Sequence, residues 1–419
     1  MNRKQLIIMF LALAVLGGAG LVLMNRHDSS WSAPQGKMGQ KLFPNLVLND
    51  VGALHVAAAG DLHLAAKDGL WRVQERAGYP ADVSKIRELF IKLSELKISQ
   101  SEPIGQTQLA RMDLLPPATG TNIGTNSGTQ VEIQDKQGKT LQSLLLGKKH
   151  FEQSSRPSPY GDFANGRYVM LPDDHKDLLL ISDPLDSIEV NPESWLDRDF
   201  FKVDKIESIS LVSTNATNSW KLTRDTESAP WVLADAKAGE LLDSNKVSSL
   251  AGTLSYASFV DAATNTAPAA TGLDKPLAVT LTTFDHFTYD LKIGNKTPEN
   301  NLYLTVAVSA DIPTNRVAGK DEKPEDKQKL DKEFQDKTKT LQDKFAKEKT
   351  FGQWVYLVTP GLVDPLIRDR SQLFVEKKDE ASAAGTNAAP TALPIPDANM
   401  PGLLDIPANT NLPPAAAPK

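Results

Sequence analysis

Cysteine is absent from these 419 residues. Its absence excludes disulfides, thiolate metal sites and cysteine nucleophiles, but it fits an oxidising and a reducing compartment equally and so locates nothing. An excess of positive charge is absent too. Against 46 Lys and Arg stand 52 Asp and Glu, a net charge of -6, so there is no basic surplus to displace phosphate counterions and no nucleic-acid partner is expected. The chain also lacks a phosphate loop of the G-x-x-x-x-G-K-[ST] type, a G-x-G-x-x-G after a strand, a G-x-S-x-G elbow and an H-E-x-x-H pair. The sequence therefore assigns no catalytic residue and no cofactor, and it reads as a non-enzyme.

Histidine is scarce, with His27, His55, His63, His150, His175 and His286. His55 and His63 fall on adjacent strands of a tight hairpin and offer two ligands, whereas zinc takes three or four, so no metal site is expected. Asp173, Asp174 and His175 read as the capped start of a short helix over 173–180 rather than a cation site. Asp197 and Asp199 point to opposite faces of an extended chain, which suits a salt-bridged seam better than an acid-base pair.

One long apolar run is present. Leu6 to Met24 holds 19 residues without a charge, preceded by Arg3 and Lys4 and closed by Asn25, Arg26 and His27. At 1.5 Å per residue it spans about 28 Å, close to the hydrocarbon thickness of a bilayer. It exceeds the usual h-region of a cleaved signal and lacks a clear Ala-x-Ala site, so it reads as a retained single-pass anchor. The charge balance across it favours an N-terminus in the cytoplasm and the bulk of the chain outside. Residues 28–50 are polar and read as a stalk.

The rest is a pattern used twice. In the first copy, strand-like runs at 54–58, 62–66 and 70–73 are separated by Gly60-Asp61 and Asp68-Gly69, and Trp71 closes the third. Asp82 then caps a helix with Val83, Ile86, Leu89, Phe90, Leu93 and Leu96 at helical spacing. Strands follow at 130–134, 141–146 and 167–171. In the second copy Trp231 answers Trp71 and Asp243 answers Asp82, with strands at 206–212, 220–224 and 231–234, a helix over 243–257, and strands at 277–283 and 289–293. Ile293-Gly294-Asn295 echoes Leu146-Gly147-Lys148, residues 353–358 (QWVYLV) echo 167–171 (RYVML), and 272–276 echo 112–116. Short turns between strands call for antiparallel neighbours. The expected fold class is therefore α+β, an N-terminal transmembrane helix followed by two units of mainly antiparallel sheet, each with a covering helix. The expected division is an anchor at 1–27, a stalk at 28–50, a first unit at 51–190, a seam at 191–205, a second unit at 206–378 and a Pro/Ala-rich tail at 379–419.

Two stretches stand outside the repeat. Trp195-Leu196-Asp197-Arg198-Asp199-Phe200-Phe201 sits between the copies, and Trp195, Phe200 and Phe201 are candidate exposed aromatics for a partner or ligand. From Lys320 to Lys349 the chain carries ten Lys and nine Asp or Glu. Within this 319–349 insertion Leu330, Phe334, Leu341 and Phe345 form a narrow helical stripe, so a protruding helix is expected whose stripe is a candidate partner-docking surface.

The basic-flanked anchor, the Trp-x-[Val/Leu] strand ends, Pro80-Ala81-Asp82, the L-G-K and I-G-N turns, the Y-V-M-L and W-V-Y-L strands and the W-L-D-R-D-F-F seam together resemble the bacterial proteins that carry the domain of unknown function DUF4340. The resemblance covers roughly residues 5–375. Such proteins are typically encoded beside the permease and gliding-type auxiliary subunit of an ABC export system. It implies an accessory or scaffold role beside such a transporter, on the periplasmic side of the inner membrane, with the membrane and transporter subunits as partners and no catalytic residue to carry over. The alternative is an extracytoplasmic module binding a glycan or peptide between the repeats, followed by an unrecognised hydrolase.

Overall fold

The computed structural model describes residues 37–117, 126–151, 163–264, 266–319 and 322–375, apart from the His175 side chain. The expected anchor, most of the stalk, His27 and the tail lie outside these residues. Among the described residues no helix is long and apolar enough to cross a membrane.

The first unit is one antiparallel sheet. Its strands are β1 (Val51–Ala57), β2 (Asp61–Lys67), β3 (Leu70–Val73), β4 (Tyr79–Pro80), β5 (Ile98–Pro103), β6 (Thr129–Asp135), β7 (Thr140–Phe151), β8 (Ala164–Leu171) and β9 (Asp174–Ile181). Their spatial order is β4-β3-β2-β1-β6-β7-β8-β9-β5. The second unit repeats it with β10 (Ile206–Val212), β11 (Trp220–Thr223), β12 (Val232–Leu233), β13 (Asp261–Ala262), β14 (Leu277–Thr283), β15 (Phe287–Lys296), β16 (Leu302–Ala310) and β17 (Tyr356–Val358). The order is β12-β11-β10-β14-β15-β16-β17-β13. The two copies are thus separate sheets of one topology, the second lacking only the β4 edge.

Each sheet receives its helix where the caps predict. Helix α1 (Val83–Glu95) starts at Asp82, whose carboxylate accepts from the Ser84 and Lys85 amides. Helix α2 (Ser244–Gly252) starts at Asp243, which accepts from Asn245 and Lys246. These side chains take up amides that the first helical turn otherwise leaves unbonded. Ile86, Leu89, Phe90 and Leu93 of α1 are buried on the inner sheet face with Leu54, Leu64, Val131, Leu146 and Val169. Alternate residues on the other face, Leu145 and Met170, join Leu109 and Leu114 in a second, smaller cluster. Trp71 and Trp231 are half-buried lids on the main core.

The glycines of the L-G-K and I-G-N motifs have one reason in both copies. A Cβ at Gly147 would stand 2.4 Å from the Met112 carbonyl oxygen, and one at Gly294 would stand 2.1 Å from that of Thr271. In each copy the turn that crosses there ends in a left-handed residue, Asp113 (φ 54) or Gly272 (φ 72).

Three expectations need correction. Residues 173–180 form strand β9 rather than a helix, and Asp174 is engaged not as a cap but by Lys37 at 2.5 Å. Residues 37–50, read as stalk, pack on the first sheet: Leu42 and Phe43 are buried, and Gly39 donates to the Ile98 carbonyl at 2.8 Å. The strand 302–310 was not expected. Its place in the order makes it the counterpart of β8, so β17 answers β9, and the match of 353–358 to 167–171 is displaced by one strand. The charged insertion therefore occupies the β16–β17 connection, where the first copy has only the short turn between Leu171 and Asp174.

Candidate functional site

The seam joins the copies, and its geometry starts from how each copy is clasped. The Asp82 amide donates to the Trp195 carbonyl at 2.8 Å and that of Asp197 to Pro80 at 3.0 Å. In the second copy Asp243 donates to Leu373 at 2.9 Å. Lys85 reaches the Ser194 carbonyl and Lys246 that of Phe374. Each unit's last segment is thus pinned to its own helix start, and Trp195-Leu196-Asp197 does for the first copy what Leu373-Phe374-Val375 does for the second.

This position turns the seam aromatics inward. Trp195 and Phe201 are 0% exposed and Phe200 is 4% exposed. The Trp195 indole donates to the Glu189 carbonyl at 2.8 Å. Phe200 lies 4.7 Å from Tyr356, 5.1 Å from Phe259 and 5.5 Å from Phe351, ring centre to ring centre. From the first copy, Tyr79 enters the same cluster 5.5 Å from Phe259 and 4.9 Å from Trp354. The expectation that Trp195, Phe200 and Phe201 are exposed is overturned: an extended segment between two sheets buries its aromatics against both. Polar clamps surround them. Arg76 meets Asp261 across the copies at 2.7 Å, and Arg198 donates to the Phe259, Val260 and Glu193 carbonyls. Asp197 accepts from the Asp199 amide and Asp199 pairs with Lys347, so the two carboxylates do not act on one point.

The charged helix, α3 (Pro324–Glu348), ends on this seam. Its stripe is divided: Leu330 is 36% exposed, Phe334 is half-buried, and Leu341 and Phe345 pack against the main core, Phe345 meeting the Phe287 ring at 6.3 Å. The helix is not a free arm. Arg316 holds Asp331 at 2.7 Å, Asp285 holds Lys337 at 3.1 Å, and Lys344 donates to the Lys202 carbonyl at 2.9 Å. Burial by itself raises the Asp285 carboxyl, and hydrogen bonds from Lys205 and Lys337 more than reverse that, holding it low.

At the foot of α3 the sequence reading missed a residue. Glu348, 4% exposed, accepts from the Tyr289 hydroxyl at 2.6 Å and from the Lys202 amide at 3.1 Å. Its signal was present: position 348 continues the face of 341 and 345 at helical spacing. Burial pushes its carboxyl above the ordinary carboxylate range, and burial beside that carboxylate pushes the Tyr289 phenol up. Asp199, Lys202, Asp204, Asp343, Lys344 and Lys347 surround it in an open cleft of about 460 Å³. The cleft combines a shielded carboxyl, raised by burial, with ion pairs that fix the helix. The folded state keeps the Glu348 proton to higher pH than the unfolded chain, so the contribution of this group to stability is lost as pH rises above about 4.5, the ordinary glutamate value, opposite in sign to that of carboxyls held low such as Asp285. Glu348→Gln is expected to remove that component, and urea melts of both proteins from pH 4 to 8 check it. A wild-type stability that does not decline relative to the variant's between pH 4 and 8 defeats the assignment.

The remaining candidates stay apart. His55 and His63 are register partners whose rings stack at 4.0 Å, each tied to a carboxylate, Asp61 and Glu75. Among the described residues no group of three or more His, Asp or Glu converges to hold a metal.

The domain of unknown function DUF4340 matches residues 71–276, from the Trp71 lid in β3 through the later strands of the first sheet and the seam to the residue before β14, leaving out β1 and β2. No curated protein and no solved structure matches the chain significantly.

Proposed function

We propose that this chain, a DUF4340 domain-containing protein, is a non-enzymatic scaffold or accessory subunit beside an ABC-type, gliding-like transport complex. Residues 6–24 anchor it in a bacterial inner membrane with the two sheets on the periplasmic side. One observation carries the scaffold reading: the aromatics and ion pairs between the copies are spent on rigidity. Tyr79, Phe200, Phe259 and Tyr356 lock together across the junction, three of their contacts edge to face and Phe200 on Tyr356 tilted, with Arg76 and Asp261 bonded beside them. A rigid body with a charged ridge presents fixed contacts to a partner. The same burial removes the aromatic platform on which the glycan or peptide reading relied. The transporter is supplied by the family resemblance, and the anchor by the uncharged apolar run.

Affinity purification from membranes in mild detergent tests the reading, with co-recovery of a permease or ATPase subunit expected. Repeated recovery of the chain without any transporter subunit sinks it. Because the apolar stripe of α3 is largely used within the chain, the partner contact falls to the outward charges. Lys332 and Lys339 are exposed and one heptad apart on that face. Reversing both to Glu is expected to reduce partner recovery severalfold while changing stability by no more than about 0.5 kcal/mol, as for surface substitutions generally. Unchanged recovery removes the ridge from the contact.

A further inference from the structure

On the outer face of the first sheet, away from α1, lies a pocket of about 300 Å³. Leu109, Leu114, Leu145 and Met170 wall it, Leu115 stands at its mouth, and Pro172 closes the side toward the β8–β9 turn. Its polar lining comes from Gln106 and Gln130 alone, both uncharged. The volume sits at the lower end of the roughly 300–1,000 Å³ found for small-molecule sites. A site walled by aliphatic side chains and without a charge selects a neutral apolar group.

Where the chain enters the fold says what that group is. Lys37 is bonded to Asp174 at 2.5 Å and to Asp177 at 2.8 Å, and Asp174 is two residues from Pro172 of the pocket wall. Residues 25–36 span at most about 43 Å when fully extended. The apolar run 6–24 is thus tethered to the same end of the sheet as the pocket. The segments beside the pocket carry exposed Arg111 and Lys176, and Lys176 accepts from the Ile104 amide through its carbonyl. The carboxylates Asp113, Asp174 and Asp177 nearby each face a lysine. Asp173 and Glu102 are exposed on the same segments, so the surface beside the pocket carries both signs and selects no headgroup charge.

We propose that this pocket takes the end of one phospholipid acyl chain from the membrane in which residues 6–24 are anchored. The inference rests on the anchor reading given above. A seated chain fixes the first sheet's outer face against the bilayer and so sets the orientation of the whole double repeat.

The full-length protein in nanodiscs containing phosphatidylglycerol with a diazirine on its acyl chain, irradiated and mapped by peptide mass spectrometry, provides the test. Labelling is expected on 6–24 and also on peptides carrying Leu109–Pro116 and Leu145 or Met170. Leu115, 36% exposed, can be changed without opening the core. Leu115→Arg is expected to cut pocket labelling at least fivefold, leaving both the label on 6–24 and the thermal midpoint unchanged. Label on 6–24 with none in the pocket overturns the inference and leaves the anchor standing, as does pocket labelling indifferent to Leu115→Arg. No label on 6–24 overturns the anchor and the inference together.

Discussion

Replacing Trp195 by alanine is expected to lower the unfolding free energy by about 3–5 kcal/mol, the range for truncating a fully buried tryptophan. The indole is 0% exposed, with the Lys85 ammonium 4.6 Å from its ring centre. Its neighbours are fixed by backbone bonds from the seam to Asp82, so the site has little freedom to collapse, and collapse is what lowers such costs. The lost bond to the Glu189 carbonyl leaves that oxygen to find another donor. Trp195→Phe keeps most of the volume and is expected to cost nearer 1 kcal/mol, the usual worth of one hydrogen bond. Urea denaturation of the three proteins decides it. A loss below about 0.5 kcal/mol for the alanine variant, typical of surface positions, contradicts the structural role given to Trp195.

Gly294→Ala is expected to cost about 3 kcal/mol, at the upper end for overpacking a tight site. The new methyl meets the Thr271 carbonyl oxygen at 2.1 Å and its carbon at 3.2 Å. A side chain can rotate away from such an approach, but here the obstacle is main chain held by the turn that ends at Gly272. Gly147→Ala, at 2.4 Å from the Met112 carbonyl oxygen, is expected to follow in direction. Gly252→Ala supplies the contrast, since nothing lies within 4 Å of its Cβ position and its backbone is right-handed helical. It is expected to gain about 0.5–1 kcal/mol from helix propensity. Equal behaviour at Gly252 and Gly294 contradicts the close-approach explanation.

The parts of this fold that sequence reasoning recovered share one property: their cause lies within a few residues. Asp82 and Asp243 bond amides two and three positions ahead, so the residue type and a following helical period suffice. The hairpin of β1 and β2 turns through residues 58–60, beside the expected Gly60-Asp61 pair, with Leu54, Val56, Leu62 and Leu64 alternating inward. Strand β16 also alternates cleanly, Leu302, Leu304, Val306 and Val308 being buried. Its place in the repeat is hidden because W-V-Y-L resembles Y-V-M-L more closely than Leu302–Ala310 does. Resemblance between short strands cannot count strands across a long insertion. The β9 segment opens on acidic residues as a helix does, and it is a strand because β8 and β5 hold it on both sides.

The sequence by itself determined that one unit is used twice, that the two covering helices begin at Asp82 and Asp243, and which glycines recur in the turns. Each is written in spacing along the chain, and copying the spacing copies the structure. Only the tertiary structure decided that Trp195, Phe200 and Phe201 face inward, that Leu341 and Phe345 are covered by their own chain, and that Glu348 is buried on Tyr289. An irregular segment has no period from which to read its buried side, and an apolar stripe does not name what covers it. Both are set by which distant surfaces meet once the two sheets have formed.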